Sequence, residues 1–159
     1  MPSASSISID DSLWPLRVVR FVGVSTLQQL EHYLADTSIR LRRGERFVSI
    51  LDVTQGGVPT PELRQRQTLW LQENELLMRE LHLGVAFVIT SPLIRLALSA
   101  IFYFKPMPVP YVVTSRFSEA ALWSISRLQT QGLTLEAERL RHHFGLPSPK
   151  ALDEHVPLQ

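Results

Sequence analysis

The stretch from Phe47 to Gln67, FVSILDVTQGGVPTPELRQRQ, carries the residues whose types and spacing could do chemistry. An acid ends an apolar run, and hydroxyls and paired glycines follow before what reads as a helix start. Ligand and phosphate sites are commonly built from such groups at the carboxyl ends of parallel strands and at helix N-termini. With an arginine further along the chain, the candidate binding residues are Asp52, Thr54, Gly56, Gly57, Thr60 and Arg95.

As a phosphate-binding loop, this stretch is incomplete. A Walker loop needs a lysine directly after its second glycine, and a dinucleotide-binding loop needs three spaced glycines. The sequence TQGGVPTP has no lysine, its glycines are adjacent, and Pro59 and Pro61 lack the backbone N–H that a phosphate cradle uses. The sequence therefore argues against nucleotide binding, and it predicts no cofactor.

Asp52 and Arg95 each have two interpretations. Asp52 could belong to a ligand or catalytic site at the sheet edge, or its carboxylate could accept N–H groups near residues 55–57 and order the turn. We favour the turn. Arg95 lies in the apolar segment LIRLALSAIFYF, where a charge must be paired or reach solvent. It either joins Asp52 in a polar cluster or is exposed in the first turn of a helix.

Composition argues against several other chemistries. The chain has no cysteine, which removes disulfides, thiolate catalysis and cysteine-based metal sites. Its adjacent pair His142-His143 points in different directions on a helix, so no metal site is predicted. A formal net charge of +1 argues against nucleic acid as a partner. The sequence has no secretory signal and no apolar run of the roughly 18 to 20 residues that span a membrane, so we expect a cytoplasmic protein.

Strands and helices alternate along the chain, and they must position the candidate residues. An N-terminal hairpin with its turn at residues 10–12 is followed by predicted strands at 47–53, 85–90 and 111–114. Helices are predicted after a cap at Ser25 or Thr26, from Thr60 to residue 81, after Ser91, after Ser118 and over 134–144. This order predicts a single α/β domain over residues 1–145, with a mainly parallel sheet of four or five strands, and a flexible tail over 146–159.

The helix over 93–104 has apolar residues on more sides than one inner face of about 100° can hold. The segment KPMPVPY continues this apolar character. We therefore predict an apolar interface that serves a homodimer or a protein partner, formed by Ile101, Phe102, Phe104, Met107 and Val109. A groove for a small hydrophobic ligand is the competing use of the same residues.

Three motifs carry a resemblance to a known family: ILDVT at the second helix–strand junction, GVAFVIT in the next strand, and YVVTSRFSEAALWSI near the end. In these motifs the chain resembles STAS domains, the group of the bacterial anti-sigma-factor antagonists and SpoIIAA-like proteins, over residues 6–131. The resemblance implies a bacterial, non-enzymatic module that regulates or scaffolds a protein partner. Phosphoswitched members begin the helix after the LD strand with a serine, where this chain has Thr60 followed by Pro61.

Thr60 is interpreted first as the cap of its helix, because a hydroxyl followed by proline and glutamate is typical of a helix start. Phosphorylation of Thr60 or Thr54 stays open. The leading hypothesis is a STAS-like interaction module. The alternative is a carrier or sensor that binds a small apolar or anionic ligand at the C-terminal edge of the sheet. An enzyme centred on Asp52 and Arg95 is the least favoured hypothesis.

Overall fold

The computed structural model describes residues 4–147, in which five strands form one sheet in chain order. The strands are β1 (Ser6–Leu13), β2 (Leu16–Gly23), β3 (Phe47–Gly56), β4 (His82–Val88) and β5 (Tyr111–Thr114). β1 and β2 are antiparallel, whereas the β2–β3, β3–β4 and β4–β5 pairs are parallel. The predicted architecture, a mainly parallel sheet that opens with a hairpin, is confirmed.

Helices cover both faces of the sheet. They are α1 (Leu27–Arg42), α2 (Pro61–Glu73), α3 (Glu75–Leu81), α4 (Pro92–Phe104), α5 (Phe117–Thr130) and α6 (Thr134–Phe144). α1 to α4 pack on one face and α5 and α6 on the other, which makes two apolar cores. Successive strand residues point to opposite faces, so Phe47 and Leu51 enter the first core while Val48 and Ile50 enter the second.

The helix predicted over 61–81 is two helices in the structure, because Asn74 interrupts it. The backbone of Asn74 leaves the helical region, with φ −112° and ψ 14°, and its side-chain amide donates to the Trp70 carbonyl oxygen at 2.9 Å. Asparagine competes in this way for helical backbone partners. After the break, Met78 and Leu81 of α3 pack in the first core.

Other predicted boundaries shift by a few residues. β1 continues to Leu13, and residues 10–12 form an irregularity within the strand instead of the turn. β4 begins at His82, three residues before the predicted start. Ser118 lies inside α5, which begins at Phe117, so the predicted cap there is wrong. The flexible tail predicted over 146–159 lies outside the described residues from position 148 onward.

Arg17 connects the hairpin to α1 from inside the protein. Its side chain is only 1% exposed, bonds to Asp36, and donates to the Thr37 hydroxyl at 3.3 Å. A carboxylate oxygen of Asp11 lies 3.4 Å from its Nε. A buried charge is tolerated only when it is paired in this way. Arg17 therefore ties β1, β2 and α1 together at one edge of the sheet.

Candidate functional site

β3 runs further than its sequence indicates, so the candidate loop is shorter. The predicted loop began at Thr54, but β2 and β3 stay paired to their last residues, with Gly56 opposite Gly23. The next residue, Gly57, donates its N–H to the Gly23 carbonyl oxygen at 2.9 Å. Thr54 and Gly56 thus lie within the strand, and the connection to α2 spans only residues 57–60.

Gly57 is needed for a close approach between two chain segments. A Cβ atom at this position would lie 2.4 Å from the Val24 side chain and 3.0 Å from the Val24 backbone nitrogen. These separations are well below van der Waals contact. The glycine therefore lets the loop after β3 pack against the loop after β2, and this packing explains its presence without a bound phosphate.

Asp52 orders the end of its own strand. Its Oδ1 accepts from the Thr54 backbone N–H at 3.0 Å and from the Thr54 hydroxyl at 2.7 Å. Its Oδ2 lies 3.8 Å from Nε of Arg20, a half-exposed side chain that also lies over the Phe117 ring. The favoured interpretation, an ordering carboxylate, agrees with this geometry, although its partner is Thr54 and not residues 55–57.

Of the two interpretations of Arg95, the structure supports the exposed arginine and contradicts the polar cluster with Asp52. Asp52 has the same strand parity as Val48 and Ile50, and it lies with Arg20 on the face covered by α5. Arg95 lies on α4, which covers the opposite face, and its side chain is exposed. Sheet alternation separates the two residues, and Arg95 reaches solvent in the first turn of its helix.

Thr60 caps α2 as predicted. Its hydroxyl accepts from the Leu63 N–H at 3.3 Å, Pro61 is the first helical residue, and Glu62 lies in the first turn. A hydroxyl cap followed by proline and an acid stabilises a helix start. Thr60 is exposed, and it lies at the C-terminal edge of the sheet with the 57–60 loop.

The structure divides the predicted apolar interface between core and surface. Ile101 and Val109 are 7% and 5% exposed and belong to the first core, so these two assignments to the surface are wrong. Phe102 and Met107 are partly buried against the same core, while Phe104 is 75% exposed. The reason is helical spacing: Ile94, Ala97 and Ile101 recur at three and four residues and turn one face of α4 inward.

The outward face of α4 forms an apolar surface with one residue of α2. We call this set the α4 surface: Leu93, Leu96, Tyr103, Phe104 and Leu69. A groove of about 400 Å³ runs between α2 and α4, with Leu69, Ala100 and Phe104 on its walls and glutamines and a threonine beside them. The sequence could have indicated the α4 residues of this set, because they are the ones left over once the inward positions of α4 are assigned.

A second opening lies inside the first core. It is an apolar cavity of about 170 Å³ between the sheet and helices α1 to α4. At one end it reaches the partly exposed residues Ser25, Gly57 and Pro59, and at the other it ends against buried Met78 and His82. No periodicity in the sequence signals it, because a cavity depends on how helices from distant segments fit together.

His82 and Ser49 form a buried pair that the sequence analysis missed. Nε2 of His82 lies 2.8 Å from the Ser49 hydroxyl, and its ring stacks on Phe47 with centroids 4.4 Å apart. Burial, helped by the charge of Arg17, lowers the pKa of His82 to about 3, so the imidazole is neutral. Its Nδ1 contacts the sulfur of Met78 instead of the carboxylate that orients a catalytic histidine. The pair is structural.

Residues 4–147 contain neither a metal-binding cluster nor a membrane-spanning helix. No group of three or more histidine and acidic side chains there is placed to hold a metal ion. No helix in this part of the chain is long and apolar enough to cross a membrane.

The fold defines an α/β protein with a mixed five-stranded sheet in chain order and helices on both faces. It is similar to an uncharacterized DUF3478-family protein with a SpoIIAA-like fold from Shewanella loihica PV-4. The two share 15% identity over 78% of this chain and 98% of that one, with a TM-score of 0.59. It is also similar to an anti-sigma factor antagonist from Mycobacterium paratuberculosis, at 11% identity, 78% and 97% coverage and a TM-score of 0.52.

These likenesses confirm the predicted STAS-like, SpoIIAA-like fold, and at such low identity they show the fold alone. No protein-family model and no curated protein matches the sequence.

Proposed function

We propose that this chain is a non-enzymatic, cytoplasmic regulatory module that binds a partner protein through the α4 surface. The observation that carries the proposal is the exposure of four large apolar side chains on one helix: Leu93 at 64%, Leu96 at 67%, Tyr103 at 83% and Phe104 at 75%. The likeness to an anti-sigma factor antagonist supports a partner that is a protein.

The composition of the α4 surface suits a protein interface. Scattered apolar residues are normal on a protein surface, but a contiguous apolar patch marks an interaction site. Aromatic residues are enriched at the centres of interfaces, and Tyr103 and Phe104 lie edge to face with ring centroids 5.3 Å apart. The adjacent groove between α2 and α4 offers a place for an apolar anchor side chain of the partner.

Polar groups border the α4 surface at both ends and form its proposed rim. Arg95 and the exposed Thr60 lie near the C-terminal edge of the sheet, together with the loop over 57–60. At the other end of α4, Lys105 bonds to the Glu75 carboxylate at 2.9 Å and holds the helix against the start of α3. A polar rim around an apolar centre is the usual arrangement of a protein interface.

The experiment introduces a photo-crosslinking amino acid at Tyr103 in cells, with Leu135 of α6 as the control position. Leu135 is also 83% exposed, but it belongs to the helix layer on the other side of the sheet. The protein crosslinked from position 103 is then purified, and its binding is measured against Leu96→Asp, Phe104→Asp and Leu135→Asp. We expect the two α4 variants to weaken binding by at least about tenfold, and the control to leave it unchanged.

Equal binding by all three variants would contradict the proposal. A homodimer through the same surface is the second candidate, because this surface carries both a groove and the exposed apolar side chains that a second copy could place in it. Sedimentation of the purified chain over a range of concentrations separates the two candidates. A dimer that Phe104→Asp dissociates and Leu135→Asp does not would identify a second copy as the partner.

A further inference from the structure

The apolar cavity inside the first core is larger than ordinary packing leaves. Protein interiors are close-packed and rarely contain voids much larger than a water molecule. This cavity measures about 170 Å³ and lies between sheet residues such as Leu51 and Phe87 and helix residues such as Leu30, Leu63 and Leu98. An engineered apolar cavity of similar size in another protein stays dry and binds benzene. The volume and the apolar lining of this cavity therefore suit a small apolar molecule better than water.

The side chains that line the deep part of the cavity are uncharged, and the buried Arg17 behind Thr37 is paired with Asp36. His82 is neutral, because burial lowers its pKa to about 3. Burial also raises the pKa of Tyr33, so its hydroxyl keeps its proton. The arginine on the lining, Arg64, is partly exposed and donates to the Pro59 carbonyl oxygen at 2.9 Å. The deep lining offers an ion no charged side chain as a partner, and an apolar molecule would lose no hydrogen bond on entering.

The cavity is open to solvent along part of its lining, where Leu98, Phe102 and Met107 are also partly exposed. Ser25, Gly57 and Pro59 are partly exposed, whereas Thr37, Met78 and His82 at the far end are buried. A ligand would enter at the C-terminal edge of the sheet, where the loop over 57–60 meets the start of α1. Gly57 keeps this loop close to Val24 and so shapes the opening.

We propose that this cavity is a binding site for a small, uncharged apolar molecule, of the class of aromatic hydrocarbons and short alkyl chains. The site is distinct from the α4 surface, because its lining residues face the sheet while the α4 surface faces solvent. The proposal goes beyond protein docking: it makes the chain a receptor for a small molecule as well.

Toluene and bromobenzene are the probes that test the site in the purified full chain. We expect toluene to raise the melting temperature in a saturable manner, because a ligand that binds only the folded state stabilises it. Bromobenzene should quench part of the tryptophan fluorescence, because the buried Trp70 lines the cavity. Iodide, which stays in solvent, serves as the control quencher and should not reach the same tryptophan.

Two matched substitutions on α4 locate the binding. Leu98 lines the cavity, whereas Leu96 on the same helix is 67% exposed. Leu98→Phe places a larger side chain in the cavity and should weaken toluene binding by about tenfold or more. Leu96→Phe makes the same chemical change at the surface and should leave binding unchanged. Leu98→Ala enlarges the cavity and should admit naphthalene, which the natural chain should bind more weakly.

The proposal is overturned if the natural chain shows neither a saturable rise in melting temperature nor quenching at the solubility limit of the probes. It is also overturned if Leu98→Phe and Leu96→Phe bind toluene equally, since the probes would then lie on the surface. If Leu98→Phe does not fold, the naphthalene comparison with Leu98→Ala decides in its place. No partner protein takes part, so the result is independent of docking at the α4 surface.

Discussion

The imidazole of His82 lies between Ser49, Phe47 and Met78, and the residue is only 6% exposed. In the sequence it is one of five scattered histidines with no marked partner. In the fold it fills the N-terminal end of β4 and satisfies the Ser49 hydroxyl, which would otherwise be buried without a hydrogen bond. Its role is to keep a polar pair neutral inside an apolar layer.

This role predicts a dependence of stability on pH. The pKa of His82 is about 3 in the folded protein against 6.5 ordinarily, so between these values the unfolded chain binds a proton that the folded chain does not. The free energy of unfolding should therefore fall as the pH is lowered from about 6.5, by up to about 1.4 kcal/mol per pH unit. Urea unfolding at pH 7.5, 6.0 and 5.0 measures it.

His82→Gln should remove this component, because glutamine can bond to Ser49 but does not titrate. His143→Gln, at an exposed histidine, is the control and should keep the natural slope. An unchanged slope in His82→Gln would show that other groups cause the acid sensitivity.

Gly57 gives a second prediction for a single residue. Gly57→Ala should cost about 1 to 3 kcal/mol of stability, because the added methyl meets both the side chain and the backbone of Val24. Val24 is 48% exposed, so Val24→Ala should cost little alone and should recover part of the loss in the double variant. Chemical denaturation of the four proteins tests this. Additive losses would mean that the two residues do not meet.

At the scale of elements, the start of α2 decides how the candidate loop is placed. The cap by Thr60 and the strand pairing up to Gly56 leave four residues, 57–60, between β3 and α2. Strand pairing holds this short connection at one end, and the helix cap holds it at the other. The polar stretch that resembled a ligand loop is therefore ordered by contacts within the chain.

Removing the cap tests this account of α2. Thr60→Ala should lower the free energy of unfolding by about 1 kcal/mol, because the Leu63 N–H loses its acceptor. Thr60→Ser keeps a hydroxyl and should lie close to the natural chain. If Thr60→Ala is as stable as Thr60→Ser, the hydroxyl is not a structural cap. Intact mass of protein purified from its native cells would then show whether Thr60 carries a phosphate.

At the scale of the whole molecule, α4 has two faces with different tasks. Its inward face completes the first core, where Phe102 lies beside Phe87 and Tyr111 with ring centroids 5.8 and 5.0 Å away. Its outward face carries Leu96 and Phe104, which are mostly exposed to solvent and are not part of either core. The apolar excess of this helix thus serves folding on one side and, in our proposal, docking on the other.

A pair of substitutions separates these tasks. Phe102→Asp should destabilise the fold by about 3 kcal/mol or more, because it removes a packed ring and places a charge against the core. Phe104→Asp should change the melting temperature little, because Phe104 is 75% exposed. Thermal unfolding of both variants checks the division. A large fall in the melting temperature of Phe104→Asp would show that Phe104 packs in the core and does not belong to a free surface.

The sequence by itself determined what depends on neighbouring residues. Apolar periodicity located the strands and most helices, and local capping chemistry identified the helix start at Thr60 and limited that of α1 to Ser25 or Thr26. Together with the motifs around ILDVT and YVVT, this was enough for the fold class. Asn74 shows the limit of such reasoning. The apolar periodicity continues past this residue as in one helix, but the Asn74 side-chain amide bonds to the Trp70 carbonyl oxygen and the helix is interrupted there.

Only the tertiary structure decided which residues meet. Sheet alternation put Asp52 and Arg95 on opposite sides, and parallel pairing brought Ser49 and His82 together across 33 residues. Packing against the sheet buried Ile101 and left Phe104 exposed, although both belong to one apolar helix. The cavity arose where four helices meet the sheet. These outcomes depend on contacts between segments that are distant in the sequence, and local sequence patterns do not specify such contacts.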